Sequence, residues 1–158
     1  MNKEYIATLQ DRILELIPEN SRGSLSVAFE DSCSELSRLV ASWIREIDDK
    51  CDLLILKGEN VCNSAKSHDL LAVIYSRGEI FIIDPSVWQF FPENKSILIF
   101  IKNNLEESLR DIKKLYGGEW QVSEEITQIS QTDQIKYQNI ILKNMEENIR
   151  NFKSTKNR

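Results

Sequence analysis

The chain has 158 residues, 41% of them hydrophobic and 28% charged, with a formal net charge of −5. That composition excludes disordered, collagenous and low-complexity classes and fits one domain able to bury roughly 70% of its unfolded-chain surface. The acidic balance argues against nonspecific nucleic-acid binding, and apolar runs such as Ile97–Ile101 fall far short of the ~20 residues a membrane span needs.

In chain order, Tyr5, Ile6, Leu9, Ile13, Leu16 and Ile17 share one helical face that Pro18 should terminate. A loop through Ser21-Arg22-Gly23 follows. Leu36, Leu39, Val40, Trp43, Ile44 and Ile47 then recur with the strongest helical period, and Ser32 with Glu35 forms an S-x-x-E capping-box pattern at its start. Beyond Asp48-Asp49 the period changes. Leu53–Leu56 reads as a buried strand, and 70–75 and 79–83 as a hairpin around Ser76-Arg77-Gly78.

Ser96–Ile101 is a further strand. Asn104–Tyr116 is a helix with Leu105, Leu109, Ile112 and Leu115 on one face, stopped by Gly117-Gly118. Segment 119–131 fits either strand or helix. A long amphipathic helix is predicted over Thr132–Phe152, carrying Ile135, Leu142, Met145, Ile149 and Phe152. The basic residues near its end suit the helix dipole without a nucleic-acid partner. The expected layout is α+β, with a mostly antiparallel sheet and C-terminal helices, in a single domain over 1–152 with a frayed tail at 153–158.

Three cysteines are an odd number, and Met1–Tyr5 leads into a charged amphipathic segment rather than a signal-peptide core. A disulfide scaffold is therefore not expected, and the expected location is cytoplasmic, or outside the cell by a non-Sec route. Cys51 precedes a buried strand and Cys62 lies in a loop. With His68 they give Cys-x10-Cys-x5-His, which matches no common zinc spacing. No phosphate-binding glycine motif occurs, so nucleotide chemistry has no support, and with the zinc spacing absent no cofactor or metal is expected.

Cys33 is different. As first residue of a helix it would sit at the positive end of the dipole, beside the free N–H groups of Cys33 and Ser34, although Glu30 and Asp31 oppose that field. A small residue at a helix start is the plainer explanation. His68, the only histidine, opens the first hairpin strand, and Asp84-Pro85 leaves the second. Antiparallel pairing brings those two ends together, within a diagonal pair. An imidazole oriented by a carboxylate and facing a thiol is the arrangement of cysteine acyl-transfer enzymes. Trp88, Phe90 and Phe91 read mainly as packing, with Trp88 and Gln89 as candidate lining of a substrate site.

The stretches Asp31-Ser-Cys33-Ser-Glu-Leu, Ser67-His68-Asp-Leu-Leu-Ala-Val-Ile-Tyr75 and Gly78-Glu-Ile-Phe-Ile-Ile-Asp84-Pro85-Ser86 resemble the transglutaminase-core branch of the papain-like fold. The Cys-to-His gap of 35 and the His-to-Asp gap of 16 suit that branch. The continuation Val87-Trp88-Gln89-Phe90 also resembles bacterial papain-like toxins and effectors, among them glutamine deamidases and cysteine proteases. The resemblance covers residues 25–92 and implies Cys33 as nucleophile, His68 as base and then acid, and Asp84 as orienting carboxylate. It implies a protein or peptide substrate, with no nucleic acid and no membrane. The chain lacks the Gln that papain-like proteases place before the Cys, and all its Trp residues follow Cys33. A non-catalytic interaction module on the same fold, immunity- or chaperone-like, therefore stays open beside the hydrolase. So does a transglutaminase or small-amine acyltransferase.

Overall fold

A computed structural model describes residues 1–156. Helix α1 (Lys3–Leu14) is capped by Asn2, whose Oδ1 accepts from the Tyr5 N–H at 2.8 Å, and it buries Ile6, Leu9 and Ile13. It ends four residues before Pro18. The expected loop at 21–23 lies within a 3-10 helix, Glu19–Ser24, which runs into the short α2 (Leu25–Ala28). Helix α3 spans Cys33–Ile47 and turns Leu36, Leu39, Val40, Trp43 and Ile44 into the core. Ile47, in its last turn, is 69% exposed.

Five strands follow: β1 (Asp52–Glu59), β2 (His68–Ile74), β3 (Ile80–Ile83), β4 (Leu98–Lys102) and β5 (Glu119–Glu125). They form one sheet in the order β4-β3-β2-β1-β5, and every neighbouring pair is antiparallel. The ambiguous segment at 119–131 thus supplies an edge strand, β5, before the last helix. Helix α4 (Leu105–Tyr116) lies between β4 and β5, and α5 (Gln131–Lys156) closes the chain. Of the tail expected to fray, residues 153–156 are helical, and 157–158 lie outside the described residues.

Both faces of the sheet are covered. On one, Leu53, Ile55, Leu71, Val73, Phe81 and Ile83 pack with α1, α3 and α5. On the other, Leu56, Leu70, Ala72, Ile80 and Ile82 pack with Ile112 and Tyr116 of α4. This two-sided burial explains why the strands read as continuous apolar runs although the sheet is antiparallel. It also shifts the helical faces. In α4 the buried row is Ser108, Ile112 and Tyr116, while Leu115 is 46% exposed; in α5 Ile141 and Met145 are buried, while Ile135 and Leu142 face outward.

Candidate active site

The site gathers where α3 begins, β2 begins and β3 ends. Pairing of Leu71 with Ile83 sets Asp84 one step further along, opposite Leu70, with His68 two residues on and on the same face. The diagonal contact is made: His68 Nε2 lies 2.9 Å from Asp84 Oδ2, and both side chains are fully buried. Asp84 is held in turn. Its Oδ1 accepts from the Ser86 N–H at 3.1 Å, an Asx-turn across Pro85, and from the Ser86 hydroxyl at 3.4 Å.

Tyr116, the last residue of α4, donates its hydroxyl to Asp84 Oδ2 at 2.5 Å. That single oxygen therefore meets both Tyr116 and His68. Burial, and then the charge and hydrogen bond of Asp84, raise the Tyr116 phenol well above its usual range, so it remains a donor. Nothing in the sequence links Tyr116 to Asp84, 32 residues earlier; the tertiary packing of α4 does.

Aromatic rings enclose the imidazole. Phe90 meets His68 edge-on at 4.8 Å between centroids, Tyr116 lies at 5.5 Å and Trp120 at 6.5 Å. The position of Trp120 depends on glycine. Gly58 of β1 pairs with His68 on one side and Trp120 on the other, and a Cβ at Gly58 would lie 2.5 Å from the indole ring. Gly118, at φ +75°, makes a second close approach, since a Cβ there would lie 2.2 Å from the Glu59 carbonyl. This chain reversal feeds β5, and the Trp120 indole N–H donates to the Gly117 carbonyl at 2.7 Å.

Burial pulls the His68 pKa down, but the charge and hydrogen bond of Asp84, together with the Cys33 side chain, outweigh it and hold the ring up to about 10. Nε2 faces Asp84, while Nδ1 is buried without a hydrogen-bond partner among the described residues. Nδ1 is the ring nitrogen left for the Cys33 side chain, which raises the ring pKa by hydrogen bonding and by charge, although the contact falls outside strict hydrogen-bond geometry.

Cys33 is the first residue of α3 and half-buried, in a cleft of about 250 Å³ lined also by Asp31, Ser34, Glu35, Lys66, Ser67 and Gln89. The first helical bond ahead of it runs from the Leu36 N–H to the Ser32 carbonyl, so the N–H groups of Cys33 and Ser34 have no helical acceptor. The capping box is not formed. Ser32 makes no side-chain capping bond, and one carboxylate oxygen of Glu35 is buried without a partner. Ser32 instead faces α5, whose Asn144 reaches its hydroxyl. Lys66 pairs with Glu30 at 3.1 Å, so one of the two acidic neighbours of the thiol has a counter-charge.

Of the two residues expected to line a substrate site, only Gln89 lies in the cleft beside Cys33. Its side-chain amide makes no hydrogen bond among the described residues, and its Oε1 is buried. Trp88 is turned into the core, stacked on Phe29 at 5.5 Å, with its N–H donated to the Asn94 carbonyl. The 3-10 turn Val87–Gln89 rotates adjacent side chains apart, which sends Trp88 inward and Gln89 to the cleft.

All three cysteines are unpaired. Cys51 is buried, and burial with the nearby Asp48 pushes its thiol up; Cys62 is exposed. Among the described residues no cluster of His, Cys, Asp and Glu has metal-binding geometry, and no helix is long and apolar enough to cross a membrane. No family model, curated protein or solved structure matches the chain.

Proposed function

We propose that the protein is a thiol-dependent amide hydrolase or acyl-transfer enzyme of papain-like, transglutaminase-core type. Its substrate on this reading is a protein or peptide, attacked at a glutamine side chain or a peptide bond. One observation carries the reading: a fully buried His68–Asp84 pair shares a site with a half-exposed cysteine at an uncapped helix start. A buried charge pair is costly to maintain in a fold, and a nucleophile's base is the use that this position suits.

In the reaction, the Cys33 proton rests on His68 Nδ1 before substrate arrives, as the raised ring pKa favours, and the Cys33 thiolate attacks the amide carbon. The resulting oxyanion is met by the N–H groups of Cys33 and Ser34 and by the side-chain amide of Gln89, which lines the same cleft. As the C–N bond breaks, His68 returns its proton to the leaving nitrogen, giving ammonia or an amine and a thioester. Water then attacks the thioester, His68 takes its proton, and Cys33 departs as thiolate from the new carboxylic acid. Asp84 keeps the imidazolium in place through both steps. Three unpaired thiols suit action in a reducing compartment.

The test follows ammonia release and new amino termini on incubation with casein, a glutamine-rich protein. Ammonia marks attack on glutamine and new amino termini attack on peptide bonds; one of the two should appear with the native chain and vanish with Cys33→Ala. Equal rates from the two proteins would remove Cys33 from the chemistry.

A further inference from the structure

The segment that delivers Cys33 is weakly held by its own backbone. Between α2 and α3 the Phe29, Glu30 and Ser32 N–H groups donate to the Leu25, Val27 and Phe29 carbonyls at 3.1–3.2 Å and the Ser32 carbonyl accepts from Leu36, but among the described residues the Ala28, Glu30 and Asp31 carbonyls take no backbone donor. Asp31 sits at φ +62°, in the left-handed region, which is less favourable than right-handed backbone for a residue with a Cβ although Asp tolerates it better than most. Ser32, which ought to cap α3, does not.

Helix α5, more than a hundred residues away in sequence, supplies the missing hold. Asn148 Nδ2 donates to the Glu30 carbonyl at 2.8 Å and to the Ala28 carbonyl at 3.5 Å. One turn earlier, Asn144 Nδ2 donates to the Asp31 carbonyl at 3.4 Å and to the Ser32 hydroxyl at 3.5 Å. Spacing i, i+4 sets both amides on one helix face, so they engage three carbonyls and the hydroxyl of the turn. Below them an open cleft of about 380 Å³ separates this turn from the end of α5. The polar contacts act beside the packing of Ala28 and Phe29 in the same core cluster as Ile141 and Met145.

We propose that Asn148 and Asn144 are positioning residues for Cys33, and that the C-terminal helix is thereby part of the active-site machinery. By fixing the carbonyls of residues 28, 30 and 31, they set the direction in which α3 starts, and with it the approach of the thiol to His68 Nδ1. This rests on the reading of Cys33 as nucleophile.

The experiment measures iodoacetamide alkylation of Cys33 at pH 6 and pH 9 in a Cys62→Ser parent, where Cys51 is shielded by burial. Asn148→Ala is compared with Ile141→Val, a change in the buried face of the same helix that loosens packing without removing a hydrogen bond to the turn. Asn148→Ala should lower the pH 6 rate roughly three- to tenfold, the scale of one to two hydrogen bonds, and should lower the ratio of the pH 6 to the pH 9 rate. Hydrogen exchange in segment 28–34 should rise with it. Ile141→Val should lose stability but keep the ratio. Asn144→Ala, with only the longer bonds to lose, should shift the ratio in the same direction by less, and it decides the matter if Asn148→Ala does not fold. A parent that reacts at pH 6 and a ratio unmoved by either asparagine variant, or moved equally by Ile141→Val, overturns the positioning role alone. A parent whose Cys33 reacts at pH 6 no faster than a free thiol overturns the nucleophile reading, and this proposal with it.

Discussion

The hydroxyl of Tyr116 and the Nε2 of His68 meet on one oxygen of Asp84, at 2.5 and 2.9 Å. Two donors on one buried carboxylate oxygen fix its position more firmly than the Asx-turn of residues 84–86 alone. Tyr116→Phe removes the hydroxyl while keeping the ring against His68. The variant should lose about 1–3 kcal/mol of stability, the cost of leaving a buried charged acceptor one donor short. Urea unfolding at neutral pH, with an unchanged slope, is the measurement. A midpoint equal to that of the native chain would show that the bond contributes nothing.

His68 titrates far above a free imidazole, up to about 10 against an ordinary 6.5. Because the folded pKa is raised, the pair's contribution to stability is fully present below pH 6.5 and is lost as pH climbs toward 10. Unfolding free energy should therefore decline across that window in the native chain, and the decline should be much smaller in Asp84→Asn. As the chain holds a single histidine, its ring signals in NMR identify the group directly. An imidazole that deprotonates near pH 6.5 in the folded protein would contradict the assignment.

Gly58 makes room for Trp120. Gly58→Ala places a methyl 2.5 Å from the indole carbons, so the ring must leave its place beside His68. Overpacking of this kind costs about 1–3 kcal/mol. Tryptophan emission should shift to the red, since Trp43 and Trp88 stay buried and Trp120 is the ring displaced. Unaltered emission and stability would mean that the strand yields instead.

Gln89→Ala tests the free amide of the cleft. If it meets the oxyanion, kcat for amide hydrolysis should fall on the order of a hundred- to a thousandfold with KM little changed. A rise in KM at constant kcat would place Gln89 in ground-state binding instead.

Local patterning carried much of the fold. The 3-1-3-1-3 spacing of Leu36–Ile47 marks α3, and Gly78 with its flanking apolar runs marks the β2–β3 hairpin. Since pleat and hairpin register follow from those residues alone, the His68–Asp84 contact was legible before any coordinates. The errors have one cause. Ser32 with Glu35 suits a capping box, yet Asn144 of α5 engages the Ser32 hydroxyl. Leu142 and Ile135 suit an apolar face with Met145, yet the neighbours of α5 bury Ile141 beside Met145 and leave Leu142 and Ile135 exposed. Trp88 and Gln89 are adjacent, and only the turn between Ser86 and Phe90 separates one for the core and one for the cleft.

Composition, charge and periodicity therefore determined an α+β domain with an antiparallel sheet, and singled out Cys33, His68 and Asp84, because helix period, strand alternation and hairpin pairing act over a few residues. Tyr116 on Asp84, Trp120 over Gly58, and Asn144 and Asn148 on the turn before Cys33 were decided only by the tertiary structure. These contacts join segments 32 to 120 residues apart, and such partners are chosen by how helices and sheet pack in space, which no local pattern encodes.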